Sequence, residues 1–458
     1  MDAILERFVE FSTNLKFGDL PGAIVTMARH RLFDAIGCAV GAYDTREGVI
    51  ARALAGTPAA GAQAGRIVGT RGQFAADAAT FANTSMIRAR DFNDTYLPGG
   101  HPSDCSGALF AVAPEIGASG ERLITAMVVA YETFIRLQVS ATLRERGWDQ
   151  GYAIGIGATA GLCNLMRLTP EQTRHAIAIT ATANVPMRAS RAGQLSMWKG
   201  VATAYAVRNA TFGVLLAQAG MTGPEAPFTG RHGLVDLITG PIELPPFPDD
   251  RTKLDDFLMR RVKIKYWPVA HSMQCAIWAG IELRKQVAVD QITSIDVKTF
   301  WHAWHESGSE PEKWDPTTKE TADHSLPYIL AWSLKHDGLT QEAFKPESYC
   351  DPAMRPLMKL ITVSVDDEIE KQMPKTMRML VTATDRAGKT YVADIVNPRG
   401  HEDNPMTEDD IAAKFQRQCE PMLGAARVKA AMAQWQHVEA VKDLSHAFDT
   451  VTIDGTHR

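Results

Sequence analysis

With 458 residues, of which 45% are hydrophobic and 22% charged, the chain is long enough for two or three domains and apolar enough to bury a sizeable core. A formal net charge of -5 leaves no basic surplus to neutralise a phosphate backbone, so nucleic acid is not an expected partner. The opening MDAILERFVEFSTNL is amphipathic and carries acidic residues, unlike an export signal, and no stretch of about 18 uninterrupted apolar residues suggests a spanning helix, so a soluble, cytoplasmic protein is expected.

Up to about residue 220 the hydrophobic period is helical. Residues 21–42 start with Pro21 at a first turn and carry Ile24, Met27, Leu32, Ile36 and Val40 at helical spacing. Residues 73–89, 104–117, 121–140, 151–166, 170–183 and 196–219 read the same way, and their Ala and Gly content suits close helix–helix contact. The glycines of GYAIGIGATAG (151–161) sit in one of these helical patterns and read as packing sites, because no strand precedes them as in a dinucleotide fingerprint. Breaks fall at LPGG (97–100) and MTGPEAP (221–227).

Beyond about residue 260 the texture changes. RVKIKYW (261–267), ITSIDVKTF (292–300), LITVSVDDE (360–368), MRMLVTATD (377–385) and KTYVADIV (389–396) alternate as half-buried strands do, with helical stretches at 271–286 and 324–335. DRAG (385–388) reads as a hairpin turn, and the chain is helical again from about 406. The expected fold is α+β and predominantly helical. A multihelical main domain spans 1–260, a smaller α+β domain 261–400, and helices at 401–458 return to the main domain.

The six cysteines lie singly, which suits free thiols better than a zinc or iron–sulfur site. His302 and His305 share a helix face but have no third ligand nearby in sequence, so no metal is expected. The densest polar stretch is RARDFNDTYLPGGHPSDCSGALFA (88–111), where Asp91, Asn93, Asp94, Thr95, His101, Ser103 and Asp104 crowd between apolar helices. The Pro-Gly-Gly turn is expected to fold His101 toward Asp91, and the small residues Ser106, Gly107 and Ala108 to open the next helix with amides facing an anion. Alone, Lys199 reads as a surface lysine, Lys265 as an edge-strand lysine, His324 as part of a helix cap and Tyr328 as a buried ring.

DFNDTYLPGGHPSD resembles the signature of the MmgE/PrpD family, which includes 2-methylcitrate dehydratase, cis-aconitate decarboxylase and iminodisuccinate epimerase. The resemblance continues through LFDAIGCAVGA (32–42), RGWDQGYAIGIGATAG, the Lys199 helix ending in GMTGP, KIKYWP and KETADHSLPYILAW (319–333). It implies a helical main domain with a smaller α+β lid, a homodimer, an active site in the cleft between domains, and neither metal nor organic cofactor. It also implies a small di- or tricarboxylate substrate that loses a proton beside a carboxylate.

Residue by residue, Asp91, Thr95 and His101 match the family's active-site loop, while Lys199, Lys265 and Tyr328 match its lysines and the tyrosine of SLPY. The expected catalytic residues are His101, Asp91, Lys199 and Lys265. Asn93, Thr95, Ser103, Tyr328 and His324 are expected to bind substrate. Asn93 and HPSD resemble the dehydratase branch, so dehydration of a 2-methylcitrate-like acid is the first expectation. Epimerisation, decarboxylation and non-catalytic carboxylate binding are the alternatives. Arg146-Gly147-Trp148-Asp149 departs from the decarboxylase branch, which tends to place a second histidine there, and His271 is a candidate for the histidine after Lys265. In chemical terms, His101 titrates near neutrality and can move the proton, the lysines can meet carboxylate charge, and Asp91 either orients His101 or is itself the base.

Overall fold

Asp2 starts the first helix by capping it. One carboxylate oxygen accepts the amides of Ile4 and Leu5 at 3.1 and 3.2 Å, and the other accepts those of Phe228 and Thr229 at 2.7 and 3.0 Å. In this computed structural model, residues 2–56, 63–97, 99–193, 195–248 and 253–453 are described. They divide into two units, one of residues 1–189, 200–262 and 407–458, the other of residues 190–199 and 263–406. The sequence boundaries stood at 261 and 400; the division falls at 263 and 406, and residues 190–199 go with the second unit.

The first unit is helical: α1 (Ala3–Asn14), α2 (Gly22–Gly41), α3 (Arg46–Leu54), α4 (Ala76–Arg88), α5 (Ser106–Val112), α6 (Gly120–Ala141), α7 (Gly151–Met166), α8 (Pro170–Ala183) and most of α9 (Met197–Gln218). Glu408–Leu423, Ala425–Trp435 and Leu444–Thr450 complete it. A two-stranded hairpin, β1 (Ala64–Arg66) with β2 (Gln73–Ala75), replaces the first turn of the helix expected at 73–89. By length and composition α6 could cross a membrane, and here it is the core helix of the unit. Its buried Glu132 pairs with Arg136 and accepts the amides of Leu258 and Met259, while Arg136 donates to the carbonyls of Pro246 and Asp256.

Helix α7 packs against α6 as the sequence reading expected of its glycines. A Cβ at Gly157 would stand 2.6 Å from the Ala130 carbonyl oxygen, and one at Gly161 2.7 Å from both the Ala126 oxygen and the Ala130 methyl. Only hydrogen fits there, which lets two long apolar helices approach closely.

The second unit holds a four-stranded sheet in the order β4 (Ile361–Val365), β3 (Ile292–Thr299), β5 (Arg378–Asp385), β6 (Thr390–Val396). Strands β3 and β4 are parallel; the other pairs are antiparallel, and Val297 lies opposite both Val363 and Val381. The 385–388 turn closes the β5–β6 hairpin with Asp385 accepting the amides of Ala387 and Lys389. Helices α10 (Gln274–Arg284), α11 (Trp301–Ser307), α12 (Lys319–Ala322) and α13 (Leu326–His336) complete the elements used below, and α10 packs on β5, β6 and α13. Segment 261–267, expected as a strand, is not one. Val262, Lys263, Ile264 and Lys265 are all buried, so the apparent alternation does not divide an inner from an outer face.

Gly161→Val should lower stability by on the order of 1–3 kcal/mol through overpacking against α6. Gly18→Ala, where an added Cβ meets nothing within 4 Å, should change it by less than about 0.5 kcal/mol. Thermal unfolding of the two variants beside the parent checks this.

Candidate active site

The polar stretch after α4 folds into a braced loop. Arg88, 1% exposed at the end of α4, forms a short ion pair with Asp91 and lies 3.7 Å from Asp104. Asp91 takes φ +46°, a left-handed conformation that an L residue rarely adopts and that turns the chain sharply out of the helix. The loop closes where the amide of Tyr96 and the hydroxyl of Thr95 both donate to the Gly100 carbonyl, at 2.9 and 3.3 Å. Gly100 is obligatory there: its φ is +131°, and a Cβ would stand 2.3 Å from the Phe134 ring. Pro98 lies outside the described residues.

His101 is thereby brought to Asp91. Its Nδ1 lies 2.7 Å from the Asp94 carbonyl oxygen, and its Nε2 lies 3.9 Å from Asp91 Oδ1. A carbonyl oxygen only accepts, so Nδ1 carries the proton and the lone pair of the neutral ring is on Nε2. The Asp94 backbone, not Asp91, therefore sets the tautomer. Asp91 faces the nitrogen that gains a proton, where its charge favours the imidazolium.

The rest of the loop is internal scaffolding. Asn93 Nδ2 donates to Ser103 Oγ at 2.8 Å and to Asp104 Oδ1 at 2.9 Å, and both Asn93 and Ser103 are buried. Asp94 accepts the Ser103 amide at 2.9 Å and the Tyr131 hydroxyl at 2.7 Å; burial raises its carboxyl above the ordinary range, and these bonds oppose that rise. The anion that meets the start of the next helical turn is thus the protein's own Asp94. A 3-10 turn, Pro102–Cys105, precedes α5, and Gly107 serves packing: its Cβ would stand 1.9 Å from Thr84 Oγ1. The expected free amides at Ser106–Ala108 give way to that close helix contact.

A buried ammonium anchors the loop from below. Lys414, on the Glu408–Leu423 helix, is 0% exposed. It donates to the Phe92 carbonyl at 2.8 Å, lies over the Phe92 ring at 4.0 Å, and pairs with Asp34 of α2 at 2.6 Å. Burial raises the Asp34 carboxyl to about 6 even though Lys414 pulls it down.

The second unit carries its own cluster. Lys199 Nζ, at the start of α9, lies 3.4 Å from His324 Nδ1, which lies 2.5 Å from Asp323 Oδ1; Lys319 Nζ is 3.3 Å from the other Asp323 oxygen. Burial alone would raise the Asp323 carboxyl, but Lys319, Lys199 and His324 bring it down to about 2. An ionised Asp323 accepts from His324 Nδ1–H. Ser325 caps α13 by accepting the Tyr328 amide, so His324 is not the cap. The Tyr328 hydroxyl donates to the Ala343 carbonyl at 2.5 Å, and the ring is buried.

Lys263 and Lys265 are both buried, 3% and 1% exposed, and so is His271, whose two ring nitrogens have no hydrogen-bond partner among the described residues. Burial, then the charges of Lys263 and Lys265, push His271 well below the usual histidine range, and burial lowers Lys263 to about 8. Burial and the charge of Lys263 take His401 down to about 4. Concentrated cationic groups of this kind suit a carboxylate ligand. Asp323, Lys319, Lys263 and His401 were not singled out from sequence. Only Asp323, adjacent to His324 in TADHS, carried a readable signal. Of the WHAWH histidines, His305 stacks on Trp301 at 4.4 Å, and Arg188 and Arg191 are half-buried.

The MmgE/PrpD N-terminal domain matches residues 6–245 and the MmgE/PrpD C-terminal domain residues 267–437. A cis-aconitate decarboxylase-like protein, oryM of Aspergillus oryzae, is 27% identical over 94% of both chains. The 2-methylcitrate dehydratase of Cupriavidus necator is 26% identical over 81% of this chain and 79% of its own. That of Escherichia coli K12 is 26% identical over 68% of both.

Removing the anchor beneath the loop has a pH-dependent consequence. The folded Asp34 carboxyl sits at about 6 against an ordinary 3.8, so the stability gained from protonating it is full below about pH 4 and lost as pH rises through about 6. Lys414→Met removes a charge that holds this value down. The variant should lose about 3–5 kcal/mol at pH 8, where Asp34 is left as an unpaired buried anion, and distinctly less at pH 5. Urea unfolding at the two pH values measures the difference; an equal loss at both would show that Asp34 does not titrate there.

Proposed function

The chain belongs to the MmgE/PrpD family, and on that premise we propose that it is a lyase for a small di- or tricarboxylate, acting without metal or organic cofactor, with dehydration of a 2-methylcitrate-like hydroxy acid as its reaction. The observation that carries the reading is the fixed tautomer of His101, which offers an unprotonated Nε2 beside Asp91. In this mechanism Nε2 takes the proton from the carbon next to a substrate carboxylate. The electron pair forms the carbon–carbon double bond as hydroxide leaves from the neighbouring carbon, takes the proton back from the imidazolium and departs as water, which restores neutral His101. Asp91 stabilises the imidazolium formed. Lys199 and Lys265 bind carboxylates, and their charge favours the electron-rich transition state.

The relatives named 2-methylcitrate dehydratase, among them those of Cupriavidus necator and Escherichia coli, support dehydration. The decarboxylase-like relative, matched over 94% of this chain, favours a second reading in which carbon dioxide leaves and no water is lost. Epimerisation uses the same proton transfer and returns the proton to the opposite face. A carboxylate-binding homologue would turn nothing over. We also propose a homodimer. Tyr205 and Phe212, seven residues apart on α9 and so on one helix face, are 47% and 53% exposed, an apolar surface suited to a second copy.

Incubation with 2-methylcitrate, citrate, iminodisuccinate and cis-aconitate, followed by NMR, should show loss of water from 2-methylcitrate, undiminished by chelators. Turnover of cis-aconitate alone, with release of carbon dioxide, would replace dehydration by decarboxylation. His101→Gln should keep the fold and lower turnover roughly 100-fold or more, whereas Lys199→Ala or Lys265→Ala should also raise KM. A His101→Gln enzyme that turned over normally would pass the base to Asp91. Light scattering should give about twice the chain mass of 50.1 kDa, and the single-chain mass would rule the dimer out.

A further inference from the structure

A cavity of about 470 Å³, lined by none of the residues of either cluster, opens in the first unit where the end of α1, the start of α6 and the end of α7 meet. Its lining holds three cationic side chains, Lys16, Arg122 and Arg167, and one carboxylate, Glu121, a balance of two positive charges. None of the four forms a side-chain ion pair among the described residues. The neutral donors around them are engaged. The hydroxyls of Ser12, Thr13 and Thr125 donate to carbonyls one turn back in their own helices, at 2.6, 2.9 and 2.8 Å, and the Asn164 amide donates to the carbonyls of Ser12 and Leu15 at 2.8 and 3.3 Å.

Arg122 is placed against electrostatics in three ways. It stands in the first turn of α6, where the positive end of the helix disfavours a cation. Its guanidinium is partly desolvated, with Nε buried and without a hydrogen-bond partner among the described residues. Arg167, in a left-handed conformation at φ +57° just past α7, repels it. An anion in the cavity would relieve all three, and the volume lies within the range of ordinary small-molecule pockets, roughly 300–1,000 Å³. The two guanidinium groups thus share a hollow whose one carboxylate, Glu121, forms no ion pair with either of them among the described residues.

We propose that this cavity is a binding site for a small polyanion, of the phosphate or polycarboxylate class, held by Arg122 and Arg167 with Lys16 at the rim. The site is separate from the catalytic residues assigned above and does not depend on that assignment.

The test is calorimetric titration of the full-length protein, at low ionic strength, with inorganic phosphate, pyrophosphate and citrate, repeated on Arg122→Gln, Arg167→Asn and His101→Gln. Asn suits the left-handed position at 167, so that variant is expected to fold, and Lys16→Gln serves as a third, milder change. The expected result is saturable binding of at least one probe, weakened ten-fold or more by Arg122→Gln and by Arg167→Asn, weakened less by Lys16→Gln, and unchanged by His101→Gln. Preference for pyrophosphate would identify a phosphate-bearing ligand, and preference for citrate a polycarboxylate. The proposal is overturned if no probe binds saturably. It is equally overturned if binding survives both arginine changes while His101→Gln abolishes it.

Discussion

Everything assigned to the active-site loop depends on charge buried beneath it. An ammonium group taken fully out of water is tolerated only when carboxylate and carbonyl oxygens surround it, and Lys414 has both, in Asp34 and the Phe92 carbonyl. Arg88 does the same one turn earlier, with Asp91 and Asp104. Together these side chains determine where the loop leaves α4 and hold Asp91 in a backbone conformation it would not adopt by itself. The polar crowding that marks the sequence is therefore largely self-consumed: Asn93, Asp94, Ser103 and Thr95 bond to one another and to the loop backbone. The His101 ring is tied to the same loop by its Nδ1 bond to the Asp94 carbonyl, which sets Nε2 3.9 Å from Asp91.

The second unit uses positive charge differently. Around Asp323, two lysines and a histidine share one carboxylate, so that carboxylate stays ionised at any working pH and fixes the orientation of His324. Around His271, by contrast, burial and neighbouring lysines act together against protonation, and Lys263 itself is brought to about 8. A dianionic or trianionic ligand would reverse both effects by supplying the missing negative charge. Cationic groups held this way gain most from a ligand of many carboxylates, which agrees with the substrate class proposed from the family.

Much of the helical architecture was legible because its signals are local. Helical period and capping residues placed α2, α6, α7 and α8 to within a residue or two, and the alternation of β3, β5 and β6 was clear. Segment 261–267 misled because alternating Lys residues look like a solvent face, whereas here the lysines are buried with their neighbours. The pairing of His101 with Asp91 was readable from the two glycines between the polar runs. Its tautomer was not, since a backbone carbonyl sets it. Lys414 was not readable either: it meets Asp34 across 380 residues of sequence, and no period or motif records such a contact. Asp323 carried a signal only through its neighbour His324, and it reads first as an ordinary aspartate before a helix that Ser325 in fact caps.

The central claim is that His101 is held as the Nδ1–H tautomer, with Nε2 as the nitrogen that takes the proton. Two-bond nitrogen–proton correlation spectra of protein labelled at histidine with nitrogen-15 test it directly, with the His101→Gln variant identifying the resonances of that ring. The account predicts a neutral ring whose Nδ1 has the chemical shift of a protonated nitrogen and whose Nε2 has that of an unprotonated one. The opposite pattern, with the proton on Nε2, would contradict it and remove His101 as the base.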